Sequence, residues 1–144
     1  MLKRRFTDTL LEWKKNGSKQ CLLVKGARQI GKTFIIREFG KRYYKSVVEM
    51  NFLLYPEHKA IFDGSLGAEE IYKRISLQFA HTPLIPRKTL IFLDEIQECG
   101  QARTALKSLA EDARFDVIAS GSMLGVAYKE MQSVPVGYES QVEM

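Results

Sequence analysis

Cysteine is scarce in this chain: Cys21 and Cys99 are the only two, and their spacing offers neither a metal-ligand cluster nor a C-x-x-C redox pair. No apolar run approaches the roughly 18 residues that a membrane helix needs, and the opening M-L-K-R-R-F lacks the apolar stretch of a signal peptide. The expectations are therefore no membrane span and a cytoplasmic location. No segment is low in complexity. Aromatic residues interleaved with basic ones, as a stacking platform for nucleic acid would require, are also lacking. Tyr43-Tyr44 between Arg42 and Lys45 is the nearest approach, and it reads as a helix end.

What is present suits one globular domain: 144 residues, 45% hydrophobic and 27% charged, enough to bury a core. Lys and Arg exceed Asp and Glu by 22 to 17, giving a net charge of +5, spread along the chain rather than gathered in one block. Such a balance fits an anionic ligand, nucleotide or nucleic acid, without choosing between them.

The most informative stretch is Cys21 to Phe34, C-L-L-V-K-G-A-R-Q-I-G-K-T-F, a short apolar run that breaks into G-x-x-x-x-G-K-T. This is the pattern of a P-loop. Gly26 and Gly31 allow the backbone of Gly26, Ala27, Arg28, Gln29, Ile30 and Gly31 to fold tightly enough for successive N–H groups to wrap a phosphate. A helix beginning near Lys32 would aim its unpaired N–H groups at the same anion, with Phe34 in its first turn. Lys32 would reach the β- and γ-phosphates and Thr33 a magnesium ion. Arg28, although inside the loop, reads as an outward side chain, because the backbone faces the phosphates.

Along the chain, Phe6, Leu10, Leu11 and Trp13 mark an amphipathic helix over Arg4 to Lys15, stopped by Asn16-Gly17-Ser18. Residues 1–20 thus read as an N-terminal helix leading into a core at 21–144. Cys21 to Lys25 is a strand. The helix after the loop should set Phe34, Ile35 and Phe39 on one side and leave at Gly40. Ser46 to Phe52 reads as a second strand, and Ala68, Ile71, Tyr72, Ile75 and Phe79 as a helix face. T-L-I-F-L-D-E from Thr89 is a strand apolar enough for burial on both faces. A helix over Gln101 to Ala113, a strand over Asp116 to Ala119 and a last strand near Val142 to Met144 follow. Strands alternating with helices predict an α/β fold with a parallel sheet and helices on both faces.

Asp94-Glu95 ends the central strand, so the pair should lie on the sheet rim that the P-loop also occupies. There Asp94 would hold magnesium opposite Thr33, and Glu95 could orient and deprotonate a water attacking the γ-phosphate. Ser120 or Ser122, at the tip of the next strand, could hydrogen-bond the γ-phosphate or that water.

G-A-R-Q-I-G-K-T, L-I-F-L-D-E-I-Q and A-S-G-S together resemble a family of prokaryotic ATPases of the AAA+ superfamily, related to the archaeal-type ATPases. The resemblance implies an ASCE-type P-loop NTPase core, ATP hydrolysis with Mg2+, and assembly with other subunits, copies of itself among them. Members of that family continue into a helical lid and a C-terminal domain that could hold a protein partner. The expectation here is a core without its lid, its last strand cut short and self-association a consequence. An arginine often follows the glycine equivalent to Gly137 in such proteins, where this sequence has Tyr138, and no arginine occurs after Arg114. Such an arginine is worth roughly 10³ to 10⁵ in rate, so slow turnover is expected. An N-K-x-D stretch for guanine and an arginine-rich acceptor lid are absent, which argues against a GTPase and a kinase. A nucleotide-gated interaction module and a nucleic-acid-associated motor subunit remain as alternatives.

Overall fold

A strand buried on both faces needs apolar side chains at every position, and the unbroken apolar runs of this chain meet that need. The computed structural model describes residues 2–16, 20–26, 31–121 and 139–143. In it β1 (Cys21–Lys25), β3 (Thr89–Asp94) and β4 (Asp116–Gly121) are buried at every residue. β2 (Ser46–Asn51), half-buried at alternate positions, lies at one edge, and β5 (Glu139–Glu143) at the other. The order is β2-β3-β4-β1-β5, and every neighbouring pair is parallel. β4 therefore separates the strand that precedes the glycine loop from the strand that ends in Asp94, the interposition that marks an ASCE-type core. Because all strands run the same way, both still finish on one edge.

Alternation along the strands divides the core into two layers. Leu22, Val24, Leu90, Phe92 and Ile118 face α1 (Leu2–Lys15) and α2 (Lys32–Tyr43). Leu23, Met50, Ile91, Leu93, Val117 and Ala119 face the other way, toward α3 (Ala68–Gln78) and α4 (Gly100–Asp112). The molecule is thus an α/β P-loop NTPase fold with helices on both sides of a parallel sheet. In α1, Phe6, Leu10 and Trp13 are buried at helical spacing, and the Trp13 indole N–H donates to the Gln20 carbonyl at 2.8 Å, fixing the approach to β1. Burying Phe6 and Leu10 is worth roughly 1.5–3 kcal/mol each, which ties α1 to the sheet.

Some local expectations are corrected. Phe34 is 54% exposed, and the inward face of α2 is Ile35, Ile36 and Phe39. Gly40 does not end the helix, which runs on to Tyr43 with Tyr44 as its cap. A Cβ at Gly40 would come within 2.8 Å of Val47 Cγ2 and 3.1 Å of Leu90 Cδ2, so the glycine is there to let α2 lie close on the sheet. Phe52 and Phe79 fall just beyond the elements they were expected to close. The last strand spans Glu139–Glu143 rather than starting at Val142. Among the described residues no helix is long and apolar enough to cross a membrane.

Candidate functional site

The start of α2 is an uncapped helix terminus behind a glycine turn. Gly31 precedes it with φ 76°, a left-handed conformation that favours glycine, and a Cβ there would meet nothing within 4 Å, so the requirement is conformational rather than spatial. No side chain caps this terminus and its first turn holds no acidic residue, so no carboxylate of α2 itself occupies the N–H groups of the first turn. Lys32 is 2% exposed, and its ammonium donates to the Gly26 carbonyl at 2.7 Å. A buried ammonium needs such a partner, and this one holds it at the mouth of the loop. Ala27, Arg28, Gln29 and Ile30 lie outside the described residues. Phe34 is exposed in the first turn, with the Lys3 ammonium 5.4 Å from its ring centroid.

Asp94 ties the distant segments together. Its Oδ2 accepts the Thr33 hydroxyl at 2.8 Å, across 61 residues of sequence. Its Oδ1 accepts the Ser120 hydroxyl at 3.0 Å and the Glu95 N–H at 2.9 Å. Burial raises the pKa of this carboxyl, the Thr33 and Ser120 hydrogen bonds pull it back down, and the neighbouring Glu95 charge raises it again. Asp94 is 1% exposed, so its ionised form depends on those donors. Ser120 is fully buried and points at Asp94; Ser122 lies outside the described residues.

Glu95 leaves the strand in a left-handed conformation, φ 55° and ψ 48°. For a residue with a Cβ this costs on the order of 1 kcal/mol or more. It breaks β3 and starts the short 3₁₀ turn Ile96–Glu98. The carboxylate is nearly buried, and Oε1 accepts the Gln97 amide N–H at 2.7 Å.

Asn51 was not singled out from the sequence. It ends β2 in register with Asp94, its Nδ2 lies 3.5 Å from Asp94 Oδ2, and its Oδ1 accepts the N–H groups of Leu53 and Leu54 at 3.0 and 2.9 Å. The available signal was a polar residue at the end of a strand that pairs with the acid-bearing one.

Residues 18–144 match the family described as AAA domain. The chain belongs to the AAA domain family. No curated protein matches it. Among solved structures, this AAA domain is similar to C. elegans PCH-2, with a TM-score of 0.57 and 15% identity over 99% of this chain and 42% of that one. At that identity the likeness is one of fold, and the chain spans less than half the length of PCH-2.

Proposed function

We propose that this AAA domain binds ATP with Mg2+ and hydrolyses it slowly, passing the resulting change to a partner. The observation that carries the reading is the Thr33 hydroxyl on the Asp94 carboxylate, 2.8 Å apart, where the phosphate loop meets the acid strand. A carboxylate and a hydroxyl are hard oxygen donors, too few to enclose an ion alone and well matched to one completed by phosphates and water. Thr33 and Asp94 would hold the magnesium, which when bound neutralises phosphate charge.

The protein's own groups take the remaining roles. The backbone from Gly26 through Gly31 cradles phosphate, and Lys32 exchanges its carbonyl partner for phosphate oxygen. Phe34 flanks the ligand from the exposed first turn of α2. Glu95 orients the attacking water and accepts its proton, with the Gln97 amide holding its carboxylate in position. Ser120 keeps Asp94 ionised and turned toward Thr33. Residues 115–144 hold no arginine, so the roughly 4 to 7 kcal/mol of transition-state stabilisation that such a residue supplies would come from outside that stretch. G-A-R-Q-I-G-K-T and L-D-E-I-Q favour the archaeal-type prokaryotic branch of the family, and a cytoplasmic setting.

A nucleotide-gated interaction module is the second reading. It is favoured by Asn51, whose amide joins Asp94 to the exposed apolar run Leu53-Leu54-Tyr55. Glu95→Gln separates the two, because glutamine preserves an acceptor for Gln97 but cannot take a proton. Under the ATPase reading the variant keeps ATP affinity and loses phosphate release. Equal, near-zero release by both proteins would favour the gate.

A further inference from the structure

At the end of the sheet opposite the nucleotide site, two loops 45 residues apart bring four cations to one place. Arg42 and Lys45 flank the exit from α2, and Arg87 and Lys88 lead into β3. Together with Tyr43 and Tyr44 they line a concavity of about 310 Å³. Backbone hydrogen bonds fix the two loops to each other, the Lys45 and Ser46 N–H groups both donating to the Lys88 carbonyl, at 2.8 and 3.4 Å, while the Arg87 N–H donates to the Arg114 carbonyl at 2.8 Å and anchors the second loop to the approach to β4. Arg87 is held at φ 66°, a left-handed conformation uncommon outside glycine.

Other exposed cations among the described residues, Arg4, Lys15 and Lys107 included, also lack an ion pair, but these four converge on one concavity. Lys3 pairs with Glu38, Arg37 with Glu49, Lys73 with Glu70 and Arg114 with Asp112 and Glu69. Among the described residues, Arg42, Lys45, Arg87 and Lys88 form no ion pair, and all four are exposed. Asp116 already accepts the Tyr44 hydroxyl and faces Lys14 at 3.9 Å, and Glu38, which lines an adjoining concavity with Arg42, pairs with Lys3 at 3.1 Å. A favourable contact of Arg42 with the C-terminal end of α2 accounts for one of the four. It accounts for none of the other three. Like charges converging without a counter-charge repel one another, and an anionic ligand relieves that repulsion.

We propose that this concavity is a second binding site, for the phosphate backbone of a single-stranded nucleic acid. The aromatic component favours that ligand over an acidic peptide or an anionic lipid surface. Although the sequence reads as a helix end here, the half-buried Tyr43 ring, packed against Phe39 at 5.1 Å between centroids, backs the exposed Arg42 guanidinium 5.5 Å away, and that guanidinium offers the plane on which an unpaired base can stack. The position also links the sites mechanically. α2 starts at the phosphate loop with Lys32 and ends at this patch with Tyr43, about 18 Å away at 1.5 Å per residue.

The test is fluorescence anisotropy of a labelled oligothymidylate with the intact chain, across a range of salt concentrations, for the wild type, Lys45→Glu/Lys88→Glu and Tyr43→Leu. Both lysines are exposed and outside the nucleotide site, so ATP affinity serves as the control for folding and should not change. Wild-type binding should weaken steeply with salt, by a slope near 0.7 per phosphate contact. The double charge reversal should weaken it more than tenfold and lower the slope by about 1.4. Tyr43→Leu should weaken it about fivefold or more with the slope unchanged. Identical affinity of the wild type and the double variant, no binding at low salt, or tighter binding to polyglutamate or to phosphatidylserine vesicles than to the oligonucleotide would each overturn the proposal.

Discussion

Asp94 is a carboxylate kept under tension by its surroundings. Burial disfavours its charge, and the hydroxyls of Thr33 and Ser120 oppose that. Ser120→Ala removes one of the two donors without opening solvent access. A hydrogen bond to a charged group contributes about 1.5–3 kcal/mol, so Mg2+-dependent ATP affinity should fall roughly tenfold or more while Mg2+-free affinity changes little, which calorimetry would resolve. The pH dependence follows from the sign of the shift. A carboxyl whose folded pKa lies above its unfolded value stabilises the fold below that folded pKa, and the contribution is lost as pH rises through it. The ligand-free melting temperature of the wild type relative to Asp94→Asn should therefore decline as pH climbs from the ordinary carboxylate range toward neutrality, and Mg2+ with ATP should reverse the decline for the wild type only.

Helix α2 shows how far an element could be foreseen. Its start was legible because G-K-T names both a turn and an anion-binding terminus, and β1 and β3 were legible because continuous apolarity admits little besides a buried strand. Its phase was not. Phe34, Ile35 and Phe39 nearly share a face, but Ile36 completes a more continuous one, and only packing on Leu22 and Ile118 decides between them. Gly40 misled for a related reason: a glycine near a helix end suggests an exit, whereas here it leaves room for Val47 of β2 and Leu90 of β3. Gly40→Ala should consequently destabilise the protein by about 1–3 kcal/mol in urea unfolding, since overpacking against Val47 outweighs the helix-propensity gain of up to about 1 kcal/mol. A stabilised variant would show that Val47 and Leu90 yield more easily than this packing implies.

At the scale of the whole molecule, parallel strands sort the chemistry to two edges. Asn51, Asp94, Ser120, Gly26 and Lys32 gather at the C-terminal edge, although neither Asn51 nor the Ser120–Asp94 hydrogen bond could be inferred without the strand order β2-β3-β4-β1-β5. Arg42, Lys45, Arg87 and Lys88 gather at the opposite edge, where sequence separation concealed them. Everything proposed for the first edge depends on Lys32 and Asp94 serving one bound triphosphate. The most direct test is calorimetric titration of ATP, with and without Mg2+, into the wild type and Lys32→Ala, with circular dichroism confirming that both are folded. The account predicts that Mg2+ tightens ATP binding to the wild type and that Lys32→Ala loses about tenfold or more in affinity. Equal ATP affinity for the two proteins, with or without Mg2+, would contradict it.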